Sequence, residues 1–254
     1  MIPATTKPKK VPKVGGKKKP QQDAMDIETE KKVKIVDTCP FPTLKVEEDS
    51  LTVSGFKGYQ TISANYRIIE GTSYFEVKVE SPILPQPFPD VPPQVRVGIA
   101  TKTFDKETSL GSDPFSYAYK GEDGCIINDG IPVKYGEKYQ AGDVIGVLLH
   151  MKPPKPSHLY TNKDPNTPDI NEGSKLLFFK NGICEKIAFT DLHEGFYYAS
   201  ASLYMNARVK FNFGPDFEKS PNLQPFQDDP DIVNFNPYSI IPTLPKMYDQ
   251  IDFQ

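Results

Sequence analysis

Alternation of apolar and polar positions is the dominant pattern along this chain. In Tyr74-Phe75-Glu76-Val77-Lys78-Val79, Phe75, Val77 and Val79 share one side of an extended backbone and Tyr74, Glu76 and Lys78 the other. That is the period of a strand with one buried face, and the second side is expected to be solvated. Arg208-Val209-Lys210-Phe211-Asn212-Phe213 repeats the pattern. Between Leu176 and Phe189, two apolar-containing runs flank Asn181-Gly182, a dipeptide that tolerates positive φ at both central positions of a type I′ turn and so predicts a hairpin. This hairpin is the strongest short-range β signal, and the rest of the sheet is expected to be organised around it.

Further strand candidates are Leu44–Val46, Leu51–Val53, Ile62 to Arg67, Val95–Ala100, Phe115–Lys120, Ile126-Ile127, Gly195–Tyr204 and Ala207–Phe213. Asp143 to Leu149 is nearly all apolar, as expected of a strand covered on both faces. Ser81 to Pro93 holds six prolines in thirteen residues and so reads as a loop, since proline donates no ladder hydrogen bond. Residues 151–174, with five prolines and no periodicity, read as a surface insertion between strands. Strands at short intervals without helical periods predict an all-β fold, an antiparallel β-sandwich of two sheets over 33–217.

Both ends depart from this pattern. Residues 1–32 are rich in Pro, Gly and Lys with almost nothing to bury, and read as a disordered arm. Residues 218–254 interleave prolines with Phe226, Phe235, Tyr238, Ile240, Ile241 and Leu244, which predicts an extended tail packing across the domain without joining a ladder. The formal net charge of −3 over 254 residues hides a basic head. Lys9, Lys10, Lys17, Lys18 and Lys19 could serve nuclear import or contact phosphates, because a lysine that neutralises a phosphate releases a counterion; a solvated tail is the plainer alternative.

Cys39, Cys125 and Cys184 are far apart and odd in number, which argues against a disulfide framework or a zinc site. No apolar run approaches the roughly 20 residues that span a bilayer, so no membrane association is expected, and a reduced nuclear or cytosolic setting is. There is no G-x-S-x-G elbow, no H-E-x-x-H pair and no phosphate-binding G-x-x-x-x-G-K-[ST] loop. With His150, His158 and His193 scattered, a non-enzyme is favoured, and no cofactor or metal is implied. Tyrosines and arginines on loops and outer strand faces suit protein recognition. Arg96, beside Gly98 on the same strand face, is the first candidate, since a residue without a side chain leaves room for an approaching partner. The alternative is a strand arginine paired to a neighbouring carboxylate.

Gly71-Thr72-Ser73-Tyr74-Phe75-Glu76-Val77, Val95-Arg96-Val97-Gly98-Ile99, Gly142-Asp143-Val144-Ile145-Gly146, Phe178-Phe179-Lys180-Asn181-Gly182 and Val209 to Pro215 together resemble a SPRY domain. Leu51-Thr52-Val53 running into Lys57-Gly58-Tyr59, Leu110-Gly111 to Tyr117, the long insertion and Asn212-Phe213-Gly214-Pro215 resemble the Ash-two/Bre-two family of COMPASS histone H3 lysine 4 methyltransferase complexes. The resemblance implies a non-catalytic nuclear adaptor that grips an acidic segment of a WD-repeat scaffold subunit and promotes SET-domain activity. It implies a peptide-binding groove at Tyr59, Arg96 and Lys120, with Ser109 and Ser112 where the family has a proline and a tyrosine, and Glu122 in place of a lysine. Lys120 stands where the family more often has arginine, and an ammonium is a point charge whereas a guanidinium can hold a carboxylate with two hydrogen bonds. Glu122 is expected to repel an acidic ligand. The basic arm is similar to the family's lysine-rich linker near nucleosomal DNA, while the family's C-terminal helix for a DPY-type subunit is not found by Gln254. A SPRY adaptor of another system such as ubiquitin ligation is the runner-up, and a sandwich lectin a third reading.

Overall fold

The computed structural model describes residues 33–36, 43–83, 90–154, 169–184 and 186–234. The Lys-rich arm, Cys39, the middle of the insertion and residues 235–254 lie outside them. Two seven-stranded sheets carry the fold. One, the site sheet, runs β1 (Ile35–Val36), β4 (Gln60–Ile68), β13 (Tyr197–Tyr204), β6 (Gln94–Thr101), β7 (Ser116–Lys120), β8 (Cys125–Asn128) and β9 (Ile131–Lys134). The other, the clasp sheet, runs β12 (Phe189–Thr190), β11 (Lys175–Lys180), β10 (Val144–Met151), β5 (Gly71–Glu80), β14 (Ala207–Asn212), β3 (Thr52–Gly55) and β2 (Leu44–Val46). Every pairing is antiparallel.

The alternation read from the sequence sets the inner faces. Phe75, Val77, Val97, Ile99, Ala201, Leu203, Val209 and Phe211 are almost wholly buried between the sheets. The outer faces differ from expectation. Of Tyr74, Glu76 and Lys78 on the second side of β5, only Lys78 is open to solvent, its side chain 38% exposed, while Tyr74 and Glu76 are 0% and 1% exposed. Tyr74, Leu148, Leu177 and Phe179 form a second apolar layer, capped by Phe217, Leu223, Phe226 and Ile232. The capping segment is not extended throughout; it carries a 3₁₀ turn at Gln224–Phe226 and a short helix α1 at Pro230–Val233, with Asp229 as its N-cap. Glu76 accepts hydrogen bonds from the backbone N–H groups of Glu218 and Lys219 at 2.8 Å each and from Asn212 Nδ2 at 3.1 Å, which satisfies a buried carboxylate with fixed donors.

The hairpin is real at its tip and broken along its length. Asn181 and Gly182 take φ of 52° and 83°, as a type I′ turn requires, but beyond it only Ile183 bridges back to Lys180. The strand resumes at β12, where Phe189 pairs with Leu176. The gap is filled by Tyr135, whose hydroxyl accepts from Phe178 N–H at 3.2 Å and lies 3.0 Å from the carbonyl oxygens of Phe178 and Lys186. A side chain thus supplies the partner that a missing ladder residue would have provided. β11 also sits next to the sheet edge, with β5 at the centre. At the tip, Asn181 exchanges hydrogen bonds with Val144 (2.8 and 2.9 Å), and Gly182 O accepts from Asn222 N–H at 2.8 Å.

On the outer face of the site sheet, small residues make a seat for the loop 102–114. Phe104 and Leu110 pack on Ala100, Ala118 and Ile127. Hydroxyls pin the loop: Thr61 donates to Thr108 O (2.7 Å), Leu110 N–H to Ser202 Oγ (2.7 Å) and Gly111 N–H to Ser116 Oγ (2.9 Å). The space beside Gly98 is filled from within the chain, because a Cβ there would lie 1.9 Å from Tyr117 O. The glycine admits the neighbouring strand and not an outside partner, which corrects the sequence-based expectation.

Candidate functional site

Arg96 lies on β6 with Val95 and Val97 turned into the core, so its side chain is on the outer face. The register sets Lys120 of β7 directly opposite it. Two like charges facing each other across a ladder are destabilising, and the turn that follows β7 supplies the remedy. Gly121 closes on the strand by donating its N–H to Val95 O at 3.0 Å, and Glu122 comes back over the pair. Glu122 Oε1 is 3.2 Å from Arg96 Nη2 and 3.4 Å from Lys120 Nζ, and Asp123 Oδ2 is 2.7 Å from Lys120 Nζ.

The pinned loop brings a third wall. Arg96 Nη1 donates to Ser109 Oγ at 2.9 Å and to Leu110 O at 3.3 Å. A fourth comes from Tyr59, whose ring lies 4.7 Å from the guanidinium carbon and stacks on Tyr204 at 4.8 Å. A cation over an aromatic face is attracted by the ring's quadrupole. The Tyr59 hydroxyl donates to Gln94 Oε1, and burial, opposed by the Arg96 charge, pushes its pKa up to about 12. Burial also pulls the Lys120 ammonium towards lower pKa, but Asp123 and Glu122 outweigh it and the net shift is upward. Lys120 therefore stays charged at neutral pH.

The structure brings Tyr59, Arg96, Lys120 and Ser109 together. Ser112 stays apart: it is exposed on the loop and donates to Thr108 Oγ1 at 3.2 Å. Lys9, Lys10, Lys17, Lys18 and Lys19 lie outside the described residues. The guanidinium and the ammonium lie on the outer face yet are only 13% and 12% exposed, and each is paired within the chain, so Arg96 is a strand arginine held by a neighbouring carboxylate, the alternative that its sequence setting left open. Gln94, Tyr204 and Asp123 complete the site and escaped the sequence reading. Tyr204 is legible in retrospect, since it extends the outer-face set Ser200, Ser202, Tyr204 of β13 and pairs in register with Gln94.

Two polar atoms of the site, Arg96 Nε and Glu122 Oε2, are buried without a hydrogen-bond partner. The Arg96–Glu122 pair is therefore made through one oxygen, although both groups have a second atom to offer. An open cleft of about 470 Å³, lined by Glu47, Asp49, Glu80, Arg208 and Lys210 among others, lies elsewhere. Its Arg208 is paired to Glu47 and Glu80 at 3.1 and 2.7 Å. Among the described residues no group of three or more His, Cys, Asp or Glu side chains is placed to hold a metal ion. Cys125 and Cys184 are free thiols, and no helix there is long and apolar enough to cross a membrane.

Residues 72–155 match the SPRY domain family. The chain is 30% identical over 200 residues to the Set1/Ash2 histone methyltransferase complex subunit ASH2 of Drosophila melanogaster, a match covering 70% of this chain and 35% of the relative. It is 26% identical over 205 residues to the Set1/Ash2 histone methyltransferase complex subunit ash-2 of Caenorhabditis elegans, covering 67% of this chain and 34% of that one. The match thus takes in about a third of the length of these curated relatives. Among solved structures, the SPRY domain of human HERC1 is similar at 15% identity and a TM-score of 0.48, over 67% of this chain and 94% of that one.

Proposed function

The chain carries a SPRY domain similar to that of the ASH2 subunits of Set1 complexes, and from that premise we propose that it is a non-catalytic, nuclear adaptor of a COMPASS-like histone H3 lysine 4 methyltransferase complex. Its Tyr59–Arg96–Lys120 site holds an acidic segment of the WD-repeat scaffold subunit, and the pair promotes activity of the SET-domain enzyme. One observation carries this reading: two cations and an aromatic ring from three separate strand regions converge on one outer face, with Ser109 delivered to them by a pinned loop. A fold has no need to set Arg96 opposite Lys120, because apolar or hydroxyl residues would pack that position at lower electrostatic cost. Recognition of carboxylates gives the arrangement a use, since a guanidinium offers paired donors and a tyrosine face holds it in place. The Lys-rich arm adds sequence-independent contacts to nucleosomal DNA.

The test is calorimetric titration with a Glu/Asp-rich peptide. Arg96→Ala is expected to weaken binding by about 1.5–3 kcal/mol, the range for hydrogen bonds to charged groups. Equal affinity of the variant and the parent protein would overturn the assignment.

A further inference from the structure

We infer that Glu122 is a built-in competitor for the acidic-segment site: in the free protein its carboxylate occupies the place a ligand carboxylate would take, and binding proceeds by exchanging one for the other. This deepens the function proposed above and rests on it.

The contacts are those of a stand-in and not of a structural tie. Glu122 Oε1 reaches both cations of the site, yet at 3.2 and 3.4 Å, longer than the 2.7–2.9 Å usual for a charge-assisted hydrogen bond. Its second oxygen and the Nε–H of Arg96 are both buried and both without a partner. Leaving a buried donor and acceptor unmade is costly, so the closed arrangement is under-satisfied at the two atoms where a two-pronged carboxylate–guanidinium pair would form. Exchange relieves both. Glu122 is 22% exposed and sits on the turn after β7, so its carboxylate can swing into water, while an incoming carboxylate takes the Nε edge of Arg96.

The rest of the site stays put during such an exchange. Arg96 Nη1 keeps Ser109 and Leu110, and the ring of Tyr59 keeps the guanidinium flat. Lys120 keeps Asp123 at 2.7 Å. Only one side chain moves, and it is the one whose removal leaves no cation without a partner. A neighbour of equal charge, Asp123, differs in kind: its Oδ1 also accepts Cys125 N–H at 2.9 Å and so helps to build the turn.

Fluorescence anisotropy with a labelled ten-residue Glu/Asp-rich peptide separates the possibilities, using the full chain and the variants Glu122→Gln, Glu107→Gln and Arg96→Ala. Glu122→Gln removes the competing charge at nearly constant shape and is expected to tighten binding roughly five- to tenfold, about 1 to 1.4 kcal/mol by the tenfold-per-1.4 relation. Glu107→Gln, at an exposed position outside the site, changes net charge by the same amount and is expected to alter affinity less than about twofold. Equal gains in the two variants would mean a general charge effect and overturn the competitor role. So would an unchanged or weakened Glu122→Gln, while the acidic-segment reading would survive if the parent protein binds and Arg96→Ala does not. Absence of binding by every form would remove that reading and the competitor with it.

Discussion

On each outer face of the sandwich one cluster brings two cations to two carboxylates, and the two clusters use them in opposite ways. On the clasp sheet, Lys175 Nζ lies 2.7–2.8 Å from both oxygens of Asp229 and 3.1 Å from Asp231, and Lys152 Nζ lies 2.9 Å from both oxygens of Asp231. The carboxylates come from a segment 54 to 79 residues away in sequence. On the site sheet, Glu122 comes from the turn beside Lys120, makes longer contacts through one oxygen, and leaves two atoms unpaired. The first cluster fastens a distant piece of chain; its apolar partners Phe217, Leu223, Phe226 and Ile232 do the burying. The second fastens nothing remote. Four charges in a small space are therefore not in themselves a sign of function. How fully the lysines and carboxylates pair with one another, and the distance over which they reach, separate the clasp from the Arg96 cluster, although His150 Nε2 beside Asp231 is also buried without a hydrogen-bond partner.

That contrast can be broken most forcefully at Ile232, which is 0% exposed at the end of the clasp. Ile232→Ala is expected to cost about 2–4 kcal/mol in chemical denaturation, as for other buried aliphatic truncations, while peptide binding at Arg96 is left unchanged. A loss below about 0.5 kcal/mol would mean that the C-terminal segment rests on the sheet without stabilising it.

A smaller effect is expected from pH. Hydrogen bonds from Lys152 and Lys175 hold the Asp231 carboxyl down at about 2, against an ordinary value of 3.8. A carboxyl depressed on folding contributes stability above its unfolded pKa and loses it as pH falls through the folded value. Stability should therefore decline between pH about 4 and 2, and Asp231→Asn should flatten that part of the profile. His150 acts in the same direction nearer neutrality: burial, opposed by Asp231, lowers its pKa below 6.5, so acidification must charge a ring the fold prefers neutral. If Asp231→Asn leaves the acid limb of the profile unchanged, the clasp's ion pairs are not what couples this segment to pH.

The smallest change belongs to Glu122→Gln in the absence of peptide. Because Arg96 keeps Ser109 and Leu110 and Lys120 keeps Asp123, and a glutamine oxygen can still accept from the guanidinium, the melting stability is expected to move by less than about 1.5 kcal/mol, the low end for hydrogen bonds to charged groups. A larger loss would make Glu122 a structural tie and bring the two clusters into one class.

What could be read from the sequence, and what could not, follows the same division. Inner faces were legible because Phe75, Val77, Val97 and Ile99 alternate with a strict period of two, and any strand burying one side must show it. The outer faces were not, since burial there is imposed by segments remote in the chain. Glu76 is charged and yet 1% exposed, and its partners are backbone N–H groups that carry no sequence signature. The small residues Gly98, Ala100 and Ala118 were the one local hint that something would lie on that side. Arg96 was singled out by its place beside Gly98 and Lys120 by the resemblance to the Ash-two/Bre-two family, but their pairing needs the register of β6 against β7, which no spacing reveals. Glu122 was read as a source of repulsion for an acidic ligand; the structure shows it in contact with both cations, which its sequence position did not reveal.

The tip at Asn181-Gly182 has a practical consequence. Reversals of this kind are usually the places where a chain accepts a spliced label or an inserted loop. Here the same two residues hold the start of one strand and receive the chain that crosses the back of the sheet, through Val144 and Asn222. Lengthening that bend would cut the C-terminal crossing loose at one of its anchorages, so a reporter for tracking this protein in cells is better grafted onto another part of the surface.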